Sequence, residues 1–169
     1  MGILCRRNIR RIWRKHDYKQ RHVISSWDSD FFQLISENVR VLRYRGKNTV
    51  LCDEEFIESK FEIAPAQYAD FKSLVGDKAD NIKGAEKIGP KTASALLRQF
   101  GGLQEIIDNI DAVERKCVRE SLAGDKERLL LNYKVIKLDG RAAIPFPIEE
   151  LKYINGQMKT KDVLSGIGL

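Results

Sequence analysis

Four aspartates occur as two closely spaced pairs, Asp28 with Asp30 and Asp77 with Asp80. Hard divalent cations such as Mg²⁺ and Mn²⁺ prefer carboxylate oxygens, and two such ions about 4 Å apart can stabilise both the attacking and the leaving oxygen of a phosphodiester. A helix or turn at 77–80 would point both carboxylates in one direction. Taken alone, each pair is better explained as a helix cap or a turn with a solvent-facing acid.

A glycine-bracketed segment directly follows the second pair. Gly84 and Gly89 flank a four-residue connection, and Pro90 and Lys91 then begin a predicted helix. Glycine lets a backbone approach a phosphate closely, and the amides at a helix N-terminus donate to anions. The combined pattern of glycine, apolar, lysine and small residues favours a hairpin that binds nucleic acid over an ordinary pair of helices without a ligand.

The spacing of apolar side chains predicts the elements that position these residues. A helix is expected over 8–20, a strand over 22–27, a short helix over 30–35, a strand over 39–44 and, after a turn at 46–48, a returning strand. Asp28 and Asp30 would then lie at the C-terminal end of a strand, where ligands bind in open α/β sheets.

From Asp53 onward the strand signals almost stop. The predicted helices span 53–61, 65–75, 91–100, 103–110, 112–122 and 126–136. A change from mixed strands and helices to helices alone predicts the end of an α/β sheet domain followed by a helical module.

The chain carries 30 Lys and Arg against 24 Asp and Glu, a formal charge of +6 over 169 residues. This excess favours a polyanionic partner, although net charge informs association rather than fold. Basic residues crowd the first 21 positions, where they could bind nucleic acid or form a solvated face. They are Arg6, Arg7, Arg10, Arg11, Arg14, Lys15, Lys19 and Arg21.

The cysteines and the apolar runs indicate the compartment. Cys5, Cys52 and Cys117 are odd in number and widely spaced, which indicates neither a disulfide framework nor a zinc site. No apolar run approaches the roughly 20 residues needed to cross a bilayer. We therefore expect a soluble protein of a reducing, cytoplasmic setting.

Three consecutive blocks resemble the 5′-nuclease family, which comprises flap endonucleases, phage 5′ nucleases and the 5′–3′ exonuclease domain of bacterial DNA polymerase I. Residues 25–35 resemble its SxDxDxxQL block, residues 64–82 its next acidic block, and residues 83–100 its helix-hairpin-helix. The resemblance covers roughly residues 10 to 110, and the blocks occur in the family's order and spacing.

The resemblance implies a fold with three parts. Residues 1–62 would be the C-terminal remnant of a PIN or Rossmann-like α/β nuclease core, and residues 63–140 a mainly helical module with its helix-hairpin-helix at 82–100. Residues 141–169 would form an irregular tail. A monomer is favoured.

The resemblance also implies chemistry and partners. Asp28, Asp30, Asp77 and Asp80 would be catalytic ligands of Mg²⁺ or Mn²⁺, and the implied reaction is hydrolysis of a DNA phosphodiester near a 5′ end or flap, in replication or repair. The hairpin would hold duplex DNA and a monovalent cation such as K⁺. Its implied DNA-binding residues are Lys83, Gly84, Ile88, Gly89, Lys91 and Thr92.

The chain departs from the family pattern upstream of its first acidic pair. The family carries further metal-binding acids about twenty residues before that pair, whereas residues 2–7 here hold no acid and Asp17 is the first acidic residue. One hypothesis is a 5′ nuclease whose missing half is supplied separately, or a truncated copy. The alternatives are a nuclease-derived module that binds DNA without cutting it, and a structural fragment with neither activity.

Overall fold

The computed structural model describes residues 22–44 and 49–140, and within them a small sheet lies beside a mainly helical body. The predicted mixed α/β class is confirmed. The helix expected over 8–20, with the basic run around it, the turn at 46–48 and the tail at 141–169 lie outside the described residues.

The sheet has three strands in the order β1 (His22–Ser25), β2 (Val39–Arg43) and β3 (Val50–Cys52). β1 and β2 are parallel, whereas β2 and β3 are antiparallel. Ile24, Val41 and Cys52 pair in one row across the sheet, and all three are buried. This row forms the side of the sheet that packs into the core, as the alternation of side chains along a strand requires.

A 3₁₀ helix, Ser29–Leu34, connects the two parallel strands. Asp28 caps it, because a carboxylate oxygen of Asp28 accepts a hydrogen bond from the backbone amide of Asp30 at 3.0 Å. Phe31, Phe32 and Leu34 are buried. The short helix predicted here is thus present, in the tighter 3₁₀ form.

The helical body begins after Asp53, whose side chain caps the first helix. Its α-helices are α1 (Glu54–Phe61), α2 (Tyr68–Val75), α3 (Pro90–Phe100), α4 (Leu103–Asp108) and α5 (Lys116–Ile136), with 3₁₀ turns at Pro65–Gln67 and Ile110–Ala112. Two very short antiparallel strands, β4 (Gly76–Asp77) and β5 (Ile82–Lys83), separate α2 from α3.

α5 is one helix of 21 residues where the sequence predicted two, over 112–122 and 126–136. Gly124, which falls between the two predicted helices, lies inside it. An interior glycine costs a helix only about 1 kcal/mol relative to alanine. Burial of Val118, Leu122, Leu129 and Ile136 outweighs that cost and keeps the helix continuous.

An aromatic cluster joins the sheet side to the helices. The ring of Phe32 lies 5.2 Å from that of Tyr68 and 6.1 Å from that of Phe56, and the rings of Phe61 and Phe71 extend the cluster. These contacts fix the 3₁₀ helix that carries Asp30 against α1 and α2. Across residues 22–44 and 49–140, no helix combines the length and the apolarity that crossing a membrane demands.

Candidate metal centre and nucleic-acid interface

Asp30, Asp77 and Asp80 form an acid cluster in which one carboxylate oxygen of each residue lies within 4.8 Å of the other two. Asp30 is buried, with 1% of its surface exposed, Asp77 is half-buried and Asp80 is exposed. The cluster therefore runs from the interior to solvent. Three of the four predicted metal ligands come together in this way.

Short-range backbone geometry places Asp77 and Asp80 side by side. Gly76, at φ +87°, ends α2 and turns the chain into β4, whose last residue is Asp77. The Asp77 carboxylate accepts a hydrogen bond from the Ala79 amide at 3.0 Å, and Asn81, at φ +56°, closes the turn into β5. Both carboxylates thus leave one tight turn at the end of α2.

Lys72 lies inside the cluster, and the sequence had not assigned it a role. Its ammonium nitrogen is 2.5 Å from a carboxylate oxygen of Asp30, forms an ion pair with Asp77, and lies 3.4 Å from the Ser29 hydroxyl. Only 7% of the Lys72 side chain is exposed. The one available signal was its position four residues after Tyr68, on the face of α2 that also carries buried apolar residues.

The ion pairs determine the charge states of Lys72 and Asp77. Burial by itself lowers the pKa of Lys72, but its hydrogen bonds to Asp30 and Asp77 outweigh burial and raise that pKa. Burial likewise acts to raise the pKa of Asp77, yet the hydrogen bond and charge of Lys72, with the Ala79 amide, lower it overall. Lys72 is therefore a cation and Asp77 an anion at neutral pH.

Asp28 lies beside the cluster and outside the set of three acids that converge. Its carboxylate caps the 3₁₀ helix through the Asp30 amide, and its own amide donates to the Ser26 hydroxyl at 3.1 Å. This is the helix-cap role that the sequence offered as the alternative. Its assignment as a metal ligand stays a prediction.

The segment that contains Gly84 and Gly89 connects α2 to α3. The helix-hairpin-helix was predicted to start at residue 82, but the helix before the loop, α2, ends before that residue. Residues 82–89 are not helical, because β5 pairs with β4 and the following residues form a loop. A Cβ atom on Gly84 would lie 2.3 Å from the Val75 carbonyl carbon and 2.4 Å from the Leu74 oxygen. Glycine is thus required where this loop crosses the end of α2.

The loop ends in the N-terminus of α3. Ile88 is buried and anchors the loop, while Gly89 takes the N-cap position and its carbonyl accepts from the Ala93 amide at 2.9 Å. Within the described part of the chain, no side chain caps this helix, and Lys91 at its second position is exposed. First-turn amides and a nearby cation form the arrangement that binds an anion.

The remaining predicted DNA contacts lie on the same loop and helix turn. Lys83 is exposed and lies 3.5 Å from Glu86, a pair that is two-thirds exposed and therefore contributes little to stability. Thr92 is half-buried in the first turn of α3. Since Lys83 pairs with Gly76 and Ile82 with Asp77, Asp77 of the acid cluster and the start of the loop share one two-stranded ladder.

Sequence comparison identifies relatives of this chain. A family model described as "5′-3′ exonuclease, C-terminal SAM fold" matches residues 63–159. The 5′-3′ exonuclease of Buchnera aphidicola is 38% identical over 125 residues, which cover 69% of this chain and 43% of that protein. DNA polymerase I of Borreliella burgdorferi is 36% identical over 122 residues, covering 72% of this chain and 13% of that protein.

Structural comparison agrees on the fold. The bacteriophage T5 flap endonuclease, solved with DNA and metal ions, superposes with a TM-score of 0.65 at 22% identity, covering 76% of this chain and 46% of that one. The chain therefore spans less than half the length of these relatives. The family model covers more than half of the 169 residues, so this chain belongs to the 5′–3′ exonuclease family and contains its C-terminal SAM-fold region.

Proposed function

We propose that this chain binds the backbone of duplex DNA and contributes a divalent-metal site for hydrolysis of a phosphodiester near a 5′ end or a flap, as a 5′–3′ exonuclease or flap endonuclease of DNA replication or repair. One observation carries the proposal. The β4–β5 ladder joins the acid cluster to the loop at 83–89, which we call the glycine loop. A phosphate-binding surface would therefore lie beside a group of carboxylates.

The donor set suits a hard divalent cation. Three carboxylate oxygens converge, and the exposed Asp80 leaves the cluster open to solvent on one side. The ammonium of Lys72 supplies positive charge between Asp30 and Asp77, which indicates that these carboxylates need a cation to lie so close together. Mg²⁺ or Mn²⁺ bound by Asp30, Asp77 and Asp80, with Asp28 beside them, would act as a Lewis acid on a phosphoryl oxygen.

The chain's own residues would bind and orient the DNA. The amides at the start of α3 and the charge of Lys91 would hold one phosphate, and Lys83 a neighbouring one. Gly89, where an added Cβ would meet nothing within 4 Å, would let the strand approach the loop closely. A monovalent cation such as K⁺, held by backbone oxygens of this loop, belongs to the same proposal.

The relatives give independent support. The aligned Buchnera protein is named a 5′-3′ exonuclease, and the superposed bacteriophage T5 protein was solved with DNA and metal ions. A protein with this function acts on DNA in the cytoplasm, and a monomer suffices to join the loop to the acids.

A second candidate is DNA binding without hydrolysis. Among the residues that the structure describes, the converging acids number three, and a buried lysine is paired with two of them. A two-metal reaction relies on strong electrostatic stabilisation of the transition state, which a small acid set with a competing cation provides less well. This observation favours a module that binds DNA and leaves it intact.

The two candidates differ in one assay. The purified chain is incubated with a labelled 5′-flap duplex and Mg²⁺ or Mn²⁺, beside Asp77→Ala, while affinity is followed by fluorescence anisotropy at several salt concentrations. If the intact chain cuts the flap duplex, and Asp77→Ala binds it without cutting, the result supports the nuclease. Salt-dependent binding without cutting supports the binding module. A chain that neither binds nor cuts this DNA overturns both.

A further inference from the structure

α5, the last helix among the described residues, presents a row of polar side chains to the glycine loop. Asp125, Arg128 and Asn132 lie three and four residues apart on α5, which places them on one face. We call these three residues the α5 bracket. Each of them has a hydrogen-bond partner in the backbone of the loop.

Each member of the α5 bracket binds the loop at a different residue. Asn132 Nδ2 donates to the Lys83 carbonyl at 2.9 Å, and Arg128 Nη2 donates to the Gly84 carbonyl at 2.9 Å. An Asp125 oxygen accepts from the Glu86 amide at 3.3 Å, and an ion pair of 2.7 Å joins Asp125 to Arg128.

The same helix also binds the elements that carry the acids. Asn132 Nδ2 lies 3.3 Å from the Ser73 carbonyl, in the last turn of α2 before Asp77. The buried Gln33, three residues after Asp30, donates to the Ile136 carbonyl at 3.0 Å and accepts from the Leu138 amide at 3.2 Å. α5 therefore contacts the carriers of Asp30 and Asp77 as well as the loop.

These contacts fix a relative position. Hydrogen bonds to backbone carbonyls are directional, and a buried carbonyl that loses its donor pays a desolvation penalty. Asn132 is only 9% exposed and serves one carbonyl on each side, at Ser73 and at Lys83. A change at Asn132 therefore alters how the loop is placed relative to the acids without changing any residue of the loop or of the acid cluster.

We propose that the α5 bracket sets the distance between the glycine loop and the acid cluster. It thereby determines which phosphodiester of a bound DNA lies beside the acids. This inference rests on the proposed function. Asp125, Arg128 and Asn132 are positioning residues, since they reach the DNA and the acids only through the backbone of the loop and of α2.

The first test needs neither metal nor DNA. Hydrogen–deuterium exchange of the Ala85 and Glu86 amides is compared for the intact chain, Asn132→Ala and Leu131→Ala, a matched truncation at an exposed neighbour on the same helix. We expect exchange at least tenfold faster in Asn132→Ala and unchanged in Leu131→Ala, because only the first loosens the loop. Equal exchange in all three proteins overturns the inference.

The second test reads the position on DNA. Fe²⁺ is bound to the chain in place of Mg²⁺, and ascorbate with peroxide generates hydroxyl radicals that cut nearby sugars of a bound flap duplex. We expect a narrow window of cuts for the intact chain and a shifted or broadened window for Arg128→Ala and Asn132→Ala. Lys126→Ala, an exposed cation on the same helix, should keep the original window.

Each outcome has one meaning. Arg128 is about a third exposed, so we expect Arg128→Ala to fold. It therefore still tests the inference if Asn132→Ala fails to fold. Arg128→Lys should restore the original window of cuts. An unchanged window in both variants, with DNA and Mn²⁺ affinities intact, overturns the inference. Loss of DNA or Mn²⁺ binding by the intact chain overturns the proposed function instead, and the exchange experiment then decides the inference alone.

Discussion

The ammonium nitrogen of Lys72 lies 2.5 Å from a carboxylate oxygen of Asp30, and both side chains are almost fully buried. Lys72 also pairs with Asp77, so one cation serves two of the three clustered acids. A buried charge without a partner costs several kcal/mol. The lysine therefore permits the acids to converge without a metal ion, and it competes with any ion that binds there.

Removing the Lys72 charge should weaken the metal-free protein and strengthen metal binding. For Lys72→Met we expect a loss of about 3–5 kcal/mol in the free energy of unfolding, because the buried Asp30 loses its ion pair with Lys72. Mn²⁺ should recover much of this loss by binding the folded state. Urea unfolding with and without Mn²⁺ measures both effects, with the exposed Lys126→Met as control. Equal stabilisation of intact chain and variant by Mn²⁺ would argue against competition.

Two glycines with opposite surroundings provide a matched comparison. A Cβ on Gly84 would collide with backbone atoms of α2, whereas a Cβ on Gly124 meets nothing within 4 Å. Gly84→Ala should therefore cost about 1–3 kcal/mol or more, as overpacking against a rigid backbone does. Gly124→Ala should gain about 0.5–1 kcal/mol through helix propensity. Thermal unfolding distinguishes the two, and a tolerated Gly84→Ala would contradict the close approach.

Asp70 should impose a pH dependence on stability. Burial raises its pKa, and the Leu103 amide, 2.9 Å from its oxygen, reduces that rise without cancelling it. With the folded-state pKa above the unfolded value of about 3.9, the folded protein holds the proton more tightly. The stability contributed by this proton is complete below the unfolded pKa and is lost as pH rises through the folded pKa.

The Asp70→Asn variant isolates this effect, because asparagine keeps an acceptor for Leu103 and cannot titrate. The free energy of unfolding of Asp70→Asn, relative to that of the intact chain, should increase as pH rises from about 4 toward neutrality. Urea unfolding at several pH values gives both profiles, with the exposed Asp111→Asn as control. Parallel profiles for Asp70→Asn and the intact chain would contradict the assignment.

Lys91 should contribute to DNA affinity through charge alone. Lys91→Ala should weaken binding similarly for all duplex sequences and reduce the slope of log affinity against log salt by about 0.9, the value for one phosphate contact. Anisotropy titrations at several salt concentrations measure this slope. Lys126→Ala, which removes an exposed charge from α5, should leave it unaltered. An unchanged slope in Lys91→Ala would remove Lys91 from the binding surface.

Local sequence patterns predict those parts of the site that depend on residues close together in the sequence. Asp77 and Asp80 converge because a short turn joins them. Gly84 was predicted for close approach of a phosphate, whereas the structure requires glycine there because the loop crosses α2. The role of Lys72 was not foreseen, since a lysine on a helix is normally solvated and only the folded chain brings Asp30 to it. The α5 bracket depends on partners about forty to sixty positions away, which no local pattern encodes.

Gln33 binds backbone groups of Ile136 and Leu138, which follow it by 103 and 105 positions. Contacts so distant in the chain must close a long loop, and they form after local contacts. During synthesis the ribosome releases the N-terminal portion first, so the element carrying Asp30 must wait for nearly all of the described chain before this contact can form. We expect the acid cluster to acquire its final geometry as one of the last events of co-translational folding.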